Sequence, residues 1–195
     1  MTAHQNITTL SGGFYMVPQY ATSVIDVFEA STGSLRASFG SGHLNHPFRA
    51  VESASGNIFV TSPDGQRISE FSRSGLAFGW VRDYTMPGAS YPNGLDYCPM
   101  NDSVYAWDLA TAALFRCVVG SGACTVVATL DPSALGYGVV LRVDPNTSDC
   151  TLFLGYGYGN SKIARIGADG TLIDSNWVGT LGATIFELEF EIPAP

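Results

Sequence analysis

Two of the three histidines, His43 and His46, stand three residues apart in a loop-like stretch. That spacing could bring both imidazoles to one zinc ion, but no further ligand accompanies them, and His46 directly before Pro47 reads as a turn residue. No metal or other cofactor is therefore expected. The chain has no G-x-S-x-G, no H-E-x-x-H and no cysteine beside a histidine. No catalytic residue is expected, because none of these arrangements for activating a nucleophile is present.

Two other stretches look chemical and read as structural. Gly155-Tyr156-Gly157-Tyr158-Gly159-Asn160 has the glycines of a phosphate loop. It lacks the third glycine spacing and leads into a strand instead of a helix. Asp144-Pro145-Asn146-Thr147-Ser148-Asp149 is rich in oxygen ligands that suit calcium. It has neither the central glycine nor the distal glutamate of an EF-hand loop, so it reads as a plain turn.

The elements that must position these residues are short strands. Residues 45–81 carry four strand-length runs, 48–53, 56–61, 67–72 and 76–81, separated by turn signals such as Ser62-Pro63-Asp64-Gly65. The unit recurs. An apolar–aromatic or apolar pair marks the second strand each time: Phe14-Tyr15, Ile58-Phe59, Val104-Tyr105 and Leu152-Phe153. A third strand follows with apolar residues three apart, then a turn with Gly33, Gly75, Gly120 or Gly122, and Gly170. A four-strand unit recurring every ~46 residues is the signature of a propeller blade.

The expected fold is all-β: a four-bladed β-propeller of four-stranded antiparallel blades forming one domain over residues 1–195. Blade 1 spans 12–40, blade 2 45–81, blade 3 92–130 and blade 4 138–178. The first blade lacks an obvious inner strand, and an N-terminal arm, 1–11, has no place in the four units. Residues 183–192 alternate with a clear period of two through Phe186-Glu187-Leu188-Glu189-Phe190-Glu191-Ile192. They are expected to complete blade 1 and close the ring, leaving no large sheet edge open.

The run His46-Pro47-Phe48-Arg49-Ala50-Val51, then Gly56-Asn57-Ile58-Phe59-Val60-Thr61, Arg67-Ile68, Phe71 and Gly75, resembles an NHL-type propeller repeat. That family's pattern runs from His-Pro through a Gly-Asn-Ile-Tyr-Val strand to an Arg-Ile strand. Asn93-Gly94-Leu95-Asp96-Tyr97 with Asp102-Ser103-Val104-Tyr105-Ala106 is similar to blades of other secreted propeller-like proteins. The resemblance implies the propeller fold and recognition of a partner or ligand. Four blades are fewer than NHL propellers usually have.

In such a fold the turns between strands two and three share a face with the links between blades. Here the turns are 18–23, 62–66, 108–112 and 155–161, and the links 40–46, 82–93, 131–138 and 179–182. These segments gather the expected ligand-binding set: His43, His46, Tyr84, Tyr91, Tyr137, Tyr156 and Tyr158, with Trp80 at the edge. Met86 falls among them. Aromatic rings with polar tips suit sugars, peptides or another subunit. Glu52, Asn93, Asp96, Arg142 and Glu187 lie on or near inner strands, where some propeller hydrolases hold a metal. Pairing across the axis, such as Arg142 with Glu187, is their expected role.

The formal net charge of −8, with no Lys/Arg cluster, argues against nucleic acid or an anionic membrane as partner. No apolar run approaches the ~20 residues that span a bilayer, and the first residues do not read as a signal peptide. There is no C-x-x-C among the four cysteines. Cys117 and Cys124 flank a hairpin turn and could face each other, which leaves Cys98 and Cys150 as a pair. Two disulfides would imply an oxidising, extracellular or cell-surface setting. Asn6, Asn101 and Asn146 begin glycosylation sequons. The expected function is a secreted or surface-displayed, non-enzymatic module that binds a protein, peptide or glycan. One alternative is a filament subunit in which 183–192 inserts into another copy. The other is a metal-dependent hydrolase of lactones or esters.

Overall fold

The structure, a computed structural model, describes residues 7–131, 138–144, 149–156 and 162–178. It contains four antiparallel sheets of four strands, each built in chain order, as propeller blades are. The first holds β1 (Thr8–Leu10), β2 (Phe14–Gln19), β3 (Val24–Glu29) and β4 (Leu35–Phe39); the second holds β5 (Arg49–Glu52), β6 (Ile58–Ser62), β7 (Arg67–Ser74) and β8 (Ala77–Thr85). The third holds β9 (Pro92–Cys98), β10 (Ser103–Asp108), β11 (Ala113–Val118) and β12 (Cys124–Thr129); the fourth holds β13 (Gly138–Val143), β14 (Leu152–Tyr156), β15 (Lys162–Ile166) and β16 (Leu172–Val178). One 3-10 turn, Pro63–Gly65, precedes β7.

The period of two explains how the sheets stack. Along β6, Ile58 and Val60 join Met16, Ile25, Val27 and Phe39 of the first sheet. Phe59 points the other way, to Leu95, Val104 and Phe115 of the third sheet. Along β10, Val104 and Ala106 face the second sheet, whereas Tyr105 and Trp107 join Leu141, Leu152, Leu154 and Ile166 of the fourth. Middle strands are therefore buried on both faces, and β6 and β10 are buried throughout. Each large apolar side chain so enclosed contributes about 1.5–3 kcal/mol of transfer free energy. Gly94 marks a close approach of the third and fourth sheets: a Cβ there would stand 2.9 Å from Leu141 Cβ and 3.1 Å from Trp107 Cβ.

Both disulfides join the pairs read from spacing. Cys117 and Cys124 are register partners on β11 and β12, with Cα atoms 4.1 Å apart. Cys98 and Cys150 are 5.9 Å apart at Cα and tie the third sheet to the segment before β14.

The inner position of the first sheet differs from expectation. β1 holds it, with Thr8, Thr9 and Leu10 opposite Met16, Tyr15 and Phe14. The N-terminal arm thus supplies the strand expected from 183–192, and residues 183–192 lie outside the described ones. Side chains beyond the strand hold this short element in place. The Ser11 amide donates to Glu52 Oε2 at 2.7 Å, and Ser11 Oγ donates to Oε1 at 2.8 Å. Arg73 Nη1 donates to Glu52 Oε1 at 2.7 Å, and its Nη2 donates to the Ser11 carbonyl at 2.7 Å. The packing shown by the described strands runs from first sheet to second, second to third and third to fourth.

Candidate functional site

On the face shared by the second turns and the inter-sheet links, four side chains from four segments meet. Tyr20 comes from the β2–β3 turn, His46 from the link into β5, Asp64 from the 3-10 turn, and Tyr91 from the link into β9. Each is fixed locally. Gln66, in the left-handed region at φ 51°, ends the 3-10 turn and donates its amide to the Pro63 carbonyl, which sets Asp64. Asp108, fully buried at the end of β10, accepts the Ser90 and Tyr91 amides at 2.8 and 2.7 Å. It also accepts the Ala110 and Thr111 amides, so one carboxylate both shapes the β10–β11 turn and clamps the link that carries Tyr91. Ser62 does a similar job one sheet earlier by accepting the Asn45 amide.

His46 Nδ1 is in contact with Asp64 Oδ2. The imidazole stacks on Tyr20 with centroids 4.3 Å apart and planes 12° apart. Its amide donates to Ser23 Oγ at 3.1 Å. Tyr91 lies close enough to Tyr20 and Asp64 for both to act on its hydroxyl. Burial raises the Tyr91 pKa, and the neighbouring Tyr20 and Asp64 raise it further.

His43 takes another course. Its exposed ring stacks on Trp80, 4.9 Å away and 11° from parallel, and the Trp80 indole donates to Asp83 at 3.3 Å. The two histidines thus have different neighbours. Tyr84 is not on this face. β8 runs four residues past its expected end, to Thr85, and places Tyr84 opposite Ile68 in the core. The longer strand is held by polar pairs that looked like loop residues: Arg67 Nε with Asp83 Oδ2 at 3.3 Å, and Ser69 Oγ to Asp83 Oδ1 at 2.7 Å. Met86 is likewise buried in the core. Tyr156 ends β14, opposite Lys162 and Gly138. Tyr137 and Tyr158 lie outside the described residues, as do Asn6 and Asn146. Asn101 is half-buried and donates its side-chain amide to Tyr105 Oη at 2.8 Å.

Sequence reasoning missed Tyr20 and Asp64. Both sit in turns expected on this face, but Asp64 reads first as part of the turn signal Pro63-Asp64-Gly65.

A second feature lies on the axis. Residues of all four inner strands, with Ser11, line a cavity of about 440 Å³ in which Glu52, Asp96 and Arg142 are the charged groups. Asp96 accepts the Val143 amide at 2.8 Å and the Tyr97 amide at 2.9 Å. Burial raises its pKa; Arg142, those amides and Arg49 oppose the rise. Asn93, at the start of β9, is buried with Oδ1 unpaired among the described residues. Glu187, expected opposite Arg142, lies outside the described residues. Among the described residues no three His, Cys, Asp or Glu side chains converge as a metal site requires.

No protein-family model matches the sequence, and no curated protein matches it. Solved structures do match the fold. The chain resembles hydrazine synthase of Kuenenia stuttgartiensis, with a TM-score of 0.70 at 14% identity over 86% of this chain and 47% of that one. It also resembles a catalytically inactive virginiamycin B lyase of Staphylococcus aureus with quinupristin, with a TM-score of 0.66 at 21% identity over 98% and 56%. A gluconolactonase of Xanthomonas campestris gives 0.68 at 17% identity over 93% and 64%. The chain spans about half the length of the first solved proteins it matches. The lyase and gluconolactonase neighbours are six-bladed propellers with an NHL-like fold. The class defined here is therefore a β-propeller of four described blades.

Proposed function

We propose that the chain is an extracellular or cell-surface propeller module that engages a glycan, peptide or protein through its loop face. The observation that carries this reading is the meeting of Tyr20, His46, Asp64 and Tyr91 from four separate segments. Partly exposed rings with hydrogen-bonding tips provide contact area at little conformational cost. The exposed His43–Trp80 stack extends the aromatic surface outward. Two disulfides support an oxidising setting. Screening the intact chain on glycan and peptide arrays tests the reading. A ligand whose binding weakens at least tenfold in Tyr20→Ala and Tyr91→Ala supports it. Binding unchanged in both variants counts against it.

A second reading, a propeller enzyme, draws on the lyase and gluconolactonase neighbours and on the charged axial cavity. The filament reading depends on residues 183–192, which lie outside the described ones.

A further inference from the structure

The backbone singles out His46. Among the described residues, six non-glycine side chains have positive φ. Ser23, Gln66 and Ala112 each stand directly before the third strand of a sheet, and Asp102 and Cys150 each lie in the turn between first and second strands. Those five serve hairpins that recur from sheet to sheet. His46, at φ 53°, serves none; it sits in the link between the first and second sheets, before Pro47. A left-handed side chain outside a recurring turn persists only where its surroundings impose it. Here the Ser23 hydroxyl, the Asp64 carboxylate and the Tyr20 ring do so.

The result is an oriented imidazole. An ionised carboxylate only accepts, so Asp64 places the ring hydrogen on Nδ1 and leaves the lone pair on Nε2. Nε2 takes no hydrogen bond among the described residues. The His46 and Asp64 side chains are 37% and 40% exposed, so a ligand can reach them. Tyr20, stacked on His46, and the nearby Tyr91 bring two phenolic hydrogens to the same place.

We propose that His46, oriented by Asp64, is a general base that hydrolyses a carboxylic ester presented at the loop face. Nε2 takes a proton from water as the water oxygen bonds to the ester carbon. The carbonyl π pair moves to oxygen, where a phenolic hydrogen of the tyrosine pair stabilises the charge. The oxygen pair then returns to re-form the carbonyl as the bond to the leaving oxygen breaks, and the leaving oxygen takes the proton from Nε2. Acid and alcohol leave, and His46 is neutral again. This activity goes beyond partner binding but rests on the loop face being the face that meets ligand.

The test is hydrolysis of p-nitrophenyl acetate by the intact chain, followed past one equivalent and compared with free imidazole. His46→Ala should lower kcat/KM about 100-fold, and Asp64→Asn about tenfold or more. His4→Ala, the background control, should leave it unchanged. Near-ultraviolet circular dichroism confirms that each variant keeps its fold. Turnover no faster than imidazole, or unchanged in folded His46→Ala, overturns the proposal. Array binding without turnover defeats this activity alone; turnover without array binding defeats the partner-binding reading alone.

Discussion

Tyr84 donates its phenolic hydrogen to Glu70 Oε2 at 2.9 Å, inside the core between the second and third sheets. The Tyr84 phenolic oxygen in turn accepts the Gly120 amide at 2.8 Å from the β11–β12 turn. Glu70 is itself buried and also accepts from Asn57 Nδ2 at 2.6 Å, with Arg82 Nε 3.3 Å away. One hydroxyl therefore links a buried carboxylate of one blade to the backbone of the next. Tyr84→Phe removes a donor from Glu70 and an acceptor from Gly120 while keeping the ring. The expected loss is about 1–3 kcal/mol, read from the midpoint of chemical denaturation.

The same phenol gives a pH dependence. Burial, reinforced by Glu70, pushes its pKa from 10.0 to about 12. The folded chain thus holds this proton more tightly than the unfolded chain does. The contribution is complete below pH ~10 and is lost as the pH rises through ~12. Denaturation curves collected across that window should show stability falling with pH. The fall should be shallower in Tyr84→Phe, and equal slopes in the two proteins would contradict the assignment.

The close approach at Gly94 makes a third prediction. Gly94→Ala drives a methyl group against Leu141 and Trp107, where neither Cβ can swing away. Overpacking of this kind costs about 1–3 kcal/mol. Thermal unfolding of the variant should shift down accordingly. Gly33→Ala is not an equivalent control, because its φ of +67° adds backbone strain where no neighbour is near.

The two disulfides should differ in weight. Cys98 and Cys150 are 52 residues apart, against 7 for Cys117 and Cys124. Chain-entropy arguments give about 4 kcal/mol for the longer loop and about 2 for the shorter. Paired serine substitutions, compared by urea denaturation, should preserve that order.

Where the sequence was legible, a simple periodicity was at work. Ile58-Phe59-Val60 and Val104-Tyr105-Ala106 alternate between two neighbouring sheets, and glycine or a turn cluster closes each strand. The four blades could be read from this, and the turn between Cys117 and Cys124 gave one cysteine pair and left Cys98 and Cys150 as the other. Thr8-Thr9-Leu10 could not: three residues are too few to show a period, and the side chains that hold them, Glu52 and Arg73, are distant in sequence. The end of β8 was obscured because Arg82 and Asp83 are polar and resemble a loop, although Arg67 and Ser69 satisfy Asp83 across the sheet. Tyr84 was consequently assigned to the wrong surface. His46 and Tyr91 were visible as loop aromatics, but their convergence on Asp64 and Tyr20 depends on how two blades meet, which no local pattern encodes.

The anchoring of the shortest strand also bears on how the molecule loses order. Local opening starts where an element has few side chains of its own to bury. Thr8–Leu10 is three residues long and hangs on a serine, a glutamate and an arginine, so it is an element that frays early, whereas the Cys98–Cys150 bond fastens the third sheet to the segment before β14.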